Sequence, residues 1–272
     1  MSIWDGGLQK VTGFPLKKSR KLEPIMKKVP DVTLVFWIIK ILATTLGETG
    51  GDALSMTFDP GYAVSTVIFF SLFLVAVLAQ VMAKKLHVFL YWTVIIATTT
   101  AGTTMADFAD RSLGVGYVGG SLILLALLMA TLGVWRADMG TVSVNAMASP
   151  KAEIFYWVTI LFSNTLGTAL GDFFADDSGL GYEGGALVFA VALAGVAAAY
   201  FWTKASHTVL FWLAFILTRP LGATVGDLLT KPHEQGGFDL SRISSSLILL
   251  AVMFAGVLYS YKKPAIMGQE QA

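Results

Sequence analysis

Four aspartates, Asp52, Asp107, Asp172 and Asp227, each stand fifteen residues after a tryptophan. The tryptophans are Trp37, Trp92, Trp157 and Trp212, each preceded by a second aromatic residue: Phe36, Tyr91, Tyr156 and Phe211. Ten residues after each Trp comes a glycine (Gly47, Gly102, Gly167, Gly222), and no gap is needed in any of the four segments. Ionisable groups in apolar helices are costly in hydrocarbon, so four carboxylates in one register form a candidate ion-binding set. At about 100° per residue, positions 7, 11 and 15 after each Trp share one helical face. These are Thr44, Glu48 and Asp52 in the first segment and Thr99, Thr103 and Asp107 in the second. The third carries Asn164, Thr168 and Asp172, and the fourth Arg219, Ala223 and Asp227. Lys40 lies one turn below Thr44 on that face, which Thr45, Thr100 and Thr165 edge, with Pro220 in their place in the fourth segment.

The chain has no cysteine, and no histidine falls on the shared face. Carboxylate and hydroxyl oxygens suit hard cations such as Mg, Ca or Mn, with protons and alkali ions as alternatives, and exclude thiolate chemistry of the copper or zinc type. The metal-ligating candidates are Glu48, Asp52, Asp107, Asp172 and Asp227. Thr44, Thr45, Thr99, Thr103, Asn164 and Thr168 are further candidates to line an ion-binding or permeation path. Lys40 and Arg219 are read either as ion-pair partners of Glu48 or an aspartate, or as a gate whose charge is released on protonation. Together these groups leave an excess of three negative charges on the face, extended by Asp110, Asp176 and Asp177. An acidic path favours cations over anions. The competing reading puts the four aspartates in water at the helix ends, doing nothing specific; Glu48, one turn deeper, is not explained by that.

The elements that must carry this face are membrane helices. Of 272 residues, 55% are hydrophobic and only 14% charged, and the mean hydropathy is +0.69; soluble domains carry about 25% charged residues. Runs of about 20 apolar residues, enough to cross roughly 30 Å of hydrocarbon, fall at roughly 32–53, 62–83, 87–107, 117–136, 153–173, 183–203, 206–228 and 243–261. They lack strand alternation, so helices are expected rather than a barrel. One side of the membrane would hold fourteen Lys and Arg: Lys10, Lys17, Lys18, Arg20, Lys21, Lys27, Lys28, Lys84, Lys85, Arg136, Lys151, Lys204, Lys262 and Lys263. The other holds three, Arg111, Lys231 and Arg242, which places both termini in the cytoplasm. No apolar core precedes a cleavage site in the first 31 residues, so no secretory signal is read there. That polybasic segment either sits on anionic headgroups or only sets topology. A net charge of +1 gives no indication of nucleic-acid binding.

The expected organisation is a polybasic segment over 1–31, a membrane domain over 32–263 and a tail over 264–272. The domain divides into repeats at about 32–84, 85–137, 151–204 and 205–263. Gly-Tyr or Gly-Phe recurs nine or ten residues beyond each aspartate (Gly61-Tyr62, Gly116-Tyr117, Gly181-Tyr182, Gly237-Phe238) and is read as opening the next helix. On these repeats and tryptophans, the chain resembles a bacterial integral membrane family with four tandem repeats, each of two transmembrane helices and a characteristic Trp. That family is of unknown function. The resemblance implies an all-α, multi-pass protein of a bacterial inner membrane.

Two spans per repeat make all four enter the bilayer in the same direction, as parallel repeats about an axis along the membrane normal. The spacing between tryptophans is 55, 65 and 55 residues, with the extra ten around 137–150, which leaves either a pseudo-fourfold arrangement or two halves of two repeats. Even-numbered helices have apolar middles free of ionisable residues, so they are expected outside an inner ring of odd-numbered helices. Gly47-x-x-x-Gly51, Gly102-x-x-x-Ala106, Gly167-x-x-x-Gly171 and Gly222-x-x-x-Gly226 form small-residue stripes. Such stripes serve close packing or a helix break that offers carbonyls to an ion. The tryptophans are read as an aromatic belt or packing, or as an inner constriction. His87 and His207, five residues before Trp92 and Trp212, are interfacial or pH-sensing.

There is no phosphate-binding glycine loop, H-E-x-x-H or nucleophile elbow, and position 49 is Thr where the G-x-G-D motif of intramembrane aspartyl proteases needs Gly. No enzyme and no cofactor is expected. The sequence points to a transporter of a small cation, with a divalent-metal exporter as its most concrete form. A pseudo-fourfold cation or proton channel and a scaffold or signalling protein without transport are the alternatives.

Overall fold

The computed structural model describes residues 28–144 and 149–262. The polybasic segment through Lys27, Lys263 and the 264–272 tail lie outside the described residues. The described chain is all α-helical, with eight helices long and apolar enough to cross a membrane; this is a multi-pass membrane protein. The helices are α1 (Leu34–Asp52), α2 (Gly61–Met82), α3 (Val88–Asp107), α4 (Tyr117–Met139), α5 (Pro150–Asp172), α6 (Gly181–Trp202), α7 (His207–Thr230) and α8 (Arg242–Lys262).

Burial separates two classes. In the odd-numbered helices 61–72% of the most apolar window is buried, against 11–17% in the even-numbered ones. The odd helices pack in the closed order α1, α3, α5, α7 and back to α1, and the even helices lie outside them. This is the expected inner ring, with the first and fourth repeats as neighbours. The outer helices are offset by one repeat: α2 packs on α3, α4 on α5, α6 on α7, and α8 returns to α1. Each outer helix thus covers the inner helix of the following repeat.

The glycine stripes are packing surfaces. Gly47 of α1 lies against Thr99 of α3, Gly102 of α3 against Asn164 of α5, Gly167 of α5 against Arg219 of α7, and Gly222 of α7 against Thr44 of α1. A Cβ at Gly47, Gly167 or Gly222 would run into that neighbour, and one at Gly102 would press on Asn164 and Thr165 at 3.0–3.2 Å, so glycine sets the helix separation around the ring. The α-helices continue unbroken through the glycines to the aspartates. Beyond Asp52, Asp107 and Asp172 the first three inner helices run on as a π-helical turn (Ala53–Thr57, Phe108–Ser112, Phe173–Asp177). The fourth has none. There the loop folds back, with the N–H groups of Phe238, Leu240 and Asp239 donating to the carbonyls of Leu228, Leu229 and Lys231. This occupies Gly237-Phe238, so α8 opens five residues later, at Arg242, rather than at the Gly-Phe step as in the other repeats.

On the side where the chain enters α1, the aromatic pairs close a collar. Phe36 packs tilted against Trp92 (5.3 Å), Tyr91 against Trp157 (5.6 Å), Tyr156 against Trp212 (6.0 Å) and Phe211 against Trp37 (5.7 Å), each pair joining neighbouring inner helices. Trp92, Trp157 and Trp212 are buried, so these three are packing residues rather than a lipid-facing belt. Lys28 is anchored beside this collar by Glu153 Oε2 at 2.9 Å and by the carbonyls of Gln80 and Ala83 at the end of α2. His87 and His207 are exposed at the starts of α3 and α7.

Candidate functional site

The face read from the sequence points into the ring. Glu48, Asp52, Asp107, Asp172 and Asp227 are each no more than 3% exposed, and Lys40 and Arg219 are fully buried. The reading that puts the aspartates in water is therefore overturned. Their seclusion has a local cause. Asp52, Asp107 and Asp172 close their α-helices and are followed by a π-helical turn before the loop begins, and Asp227 lies three residues inside the end of α7.

Arg219 is the centre of the middle layer. Its Nη2 donates to Glu48 Oε2 of α1 at 2.8 Å, to Thr103 Oγ1 of α3 at 2.6 Å and to Thr168 Oγ1 of α5. One guanidinium from α7 therefore touches all three other inner helices, including α3 across the ring. Thr103 also donates to Glu48 Oε2 at 3.4 Å. Lys40 departs from expectation: its ammonium meets no carboxylate within 4.0 Å among the described residues. It donates instead to Asn164 Oδ1 at 3.5 Å and lies 4.2 Å over the Phe215 ring. Asn164 is oriented by its own donation to Thr98 Oγ1 at 3.3 Å.

The five carboxylates form two clusters rather than one ring, and the first of them joins Glu48 of the middle layer to two aspartates of the outer layer. Glu48, Asp52 and Asp227 bring carboxylate oxygens within 4.8 Å of one another. Asp107 and Asp172 do not join them. They are bridged by Arg111, whose Nε is 3.0 Å from Asp107 Oδ1 and whose Nη2 is 3.5 Å from Asp172 Oδ2. On the opposite side Lys231 takes the equivalent place, 3.2 Å from both Asp52 Oδ2 and Asp227 Oδ1. Arg242 approaches Asp52 at 3.7 Å. Burial pulls the Lys231 ammonium down, but Asp227 and Asp52 beside it outweigh burial and hold its pKa well above the ordinary lysine value, so it stays charged at neutral pH.

Arg111, Lys231 and Arg242 correct the charge balance. Counted from the inner helices alone, the axis carries three surplus carboxylates; with these three cations the surplus disappears. The balance is not level by level. Four aspartates face three cations in the outer layer, whereas Glu48 faces two, Lys40 and Arg219, in the middle layer. Among the other outer acids, Asp176 accepts from the hydroxyls of Tyr117 and Tyr182 and reaches Arg111 at 3.5 Å. Asp110 is buried, and among the described residues neither of its oxygens is hydrogen-bonded.

The threonines divide by role. Thr103 and Thr168 hold Arg219 as described. Thr44 Oγ1 donates to the Thr218 carbonyl and Thr99 Oγ1 to the Ala43 carbonyl, which ties neighbouring inner helices together. Thr45 donates only within α1, to the Ile41 carbonyl. These three therefore serve the scaffold rather than the charge network. The signal for two of the missed cations was in the sequence: Arg111 and Lys231 each stand four residues after an aspartate, one helical turn on.

The family model described as Repeat of Unknown Function (DUF347) matches the chain four times, over residues 35–85, 90–140, 155–206 and 210–264. The chain belongs to this family. Each DUF347 match takes in one inner and one outer helix, so each contributes one aspartate to the outer layer. No curated protein and no solved structure matches the chain. The DUF347 description names no activity, and function must be argued from the residues.

Proposed function

We propose that this DUF347 protein carries a small, hard cation across a bacterial inner membrane, with Glu48, Asp52 and Asp227 as its binding carboxylates. The observation that carries the reading is their convergence within 4.8 Å, buried, with the Lys231 ammonium held by two of the three, Asp52 and Asp227. A lysine held by two carboxylates is a tethered cation, and a site that accepts one by charge accepts a metal ion or proton when the tether swings aside. The outer layer's surplus carboxylate favours the same sign of substrate. Export of a divalent metal such as Mg, Ca or Mn is the most concrete form of the reading.

A carrier fits better than a permanently open channel, because Arg219 occupies the axis and the aromatic collar lies below it. Arg219 and Glu48 then act as a latch that must part for passage. The reading needs no catalytic step and no cofactor. The distribution of Lys and Arg supports both termini in the cytoplasm, with the polybasic segment on anionic headgroups. A second reading, a membrane scaffold without transport, draws on the overall pairing of carboxylates with cations.

Reconstitution in liposomes with a panel of monovalent and divalent cations tests the proposal. Wild type is expected to take up at least one ion, and Glu48→Gln and Asp52→Asn to lose most of that uptake. No uptake by wild type, or equal uptake by all three, would sink it.

A further inference from the structure

The middle layer has the opposite imbalance to the layer above it. Arg219 spends one nitrogen, Nη2, on three acceptors. Its Nε and Nη1 have no hydrogen-bond partner among the described residues, although the residue is fully buried. Donors on a buried guanidinium are costly if left unmade, because water is replaced by a low-dielectric interior. Lys40 is close by in level. Its ammonium reaches Asn164, which occupies in α5 the position that Arg219 occupies in α7. Asn164 supplies one weak acceptor. Among the described residues the only carboxylate at this depth, Glu48, is taken by Nη2.

Two cations, one carboxylate and unspent N–H donors therefore meet on a closed axis. Charge neutrality and hydrogen-bond satisfaction ask for the same missing partner: a small particle with negative charge and several lone pairs. The other side chains at this level are Thr44, Thr98, Thr99, Phe215 and the Thr103 and Thr168 hydroxyls, and among the described residues none of them accepts from Arg219 Nε or Nη1.

We infer that the axis binds a monovalent inorganic anion of halide or nitrate size between Lys40 and the Nε and Nη1 of Arg219. The anion completes the middle layer as the outer layer is completed by a cation, and it stabilises the Arg219 knot from the side that Glu48 leaves open. The site is independent of cation transport and is read without it.

The test uses the full chain in detergent at fixed pH and ionic strength, with sodium gluconate exchanged for chloride, bromide or nitrate. The small anions are expected to raise the unfolding midpoint by about 4–8 °C over gluconate, the size of one occupied site. Lys40→Met is expected to lose that rise, and Lys40→Arg to keep most of it. Equal midpoints in all four salts overturn the site, as does an undiminished rise in Lys40→Met. Should Lys40→Met not yield folded protein, bromide-soaked crystals of wild type decide by anomalous scattering. A peak within about 4 Å of Arg219 Nε or Nη1 supports the site, and bromide found only elsewhere overturns it. No cation flux enters these readouts, so the failure of either proposal leaves the other standing.

Discussion

Arg219 of α7 and Glu48 of α1 meet at 2.8 Å in the centre of the ring, both closed off from solvent. Each is the other's answer to a low-dielectric surrounding, and neither is tolerable alone. Glu48→Gln and Arg219→Gln are each expected to destabilise the protein by about 3–5 kcal/mol, because a single uncompensated charge is left inside. The double variant is expected to be more stable than the Arg219→Gln single variant. Thermal unfolding of the four proteins in one detergent measures the coupling.

Lys231 competes with any ion for Asp52 and Asp227. Lys231→Met removes the tethered cation while keeping much of its volume. Calcium or manganese binding, read by titration calorimetry on purified protein, is expected to tighten about tenfold, which corresponds to about 1.4 kcal/mol. Affinity unchanged or weakened would show that Lys231 does not contest the site.

Ring closure depends on glycine where α7 meets α1. Gly222→Ala drives a Cβ into Thr44 and is expected to cost about 1–3 kcal/mol as overpacking. Gly133→Ala in α4 meets nothing within 4 Å and is expected to be neutral or to stabilise by less than about 1 kcal/mol. The pair, compared by melting temperature, separates a packing role from general glycine flexibility.

Membrane orientation is directly accessible because the natural chain has no cysteine. Ser178 and Thr203 are exposed near the start and just beyond the end of α6. In intact cells Ser178→Cys is expected to react with an impermeant maleimide and Thr203→Cys only after lysis. The reverse pattern would turn the protein over in the membrane.

The sequence carried the eight helices, the repeat register and the inner ring, because polarity on only alternate helices leaves little choice about which ones face lipid. It also brought Arg219 to Glu48, since closure makes the first and fourth repeats neighbours. It did not reveal that five carboxylates fall into two clusters. That division depends on Arg111 and Lys231, whose order alternates between repeats while the aspartates do not. Arg242 was beyond reach, because it arrives at Asp52 from the first residue of α8. The offset packing of α2 on α3 was equally hidden: outer helices that are apolar on every side carry no stripe to say which neighbour they cover.

That offset governs how the molecule can be made. As the chain emerges, α1 enters the bilayer with Lys40, Glu48 and Asp52, yet the helix that shields its outer flank is α8, the last to be synthesised. The opening quarter of the protein must therefore wait, incompletely sheathed, for the closing one. A nascent chain halted before residue 242 already carries α7, the helix that closes the ring on α1, but leaves the outer flank of α1 bare.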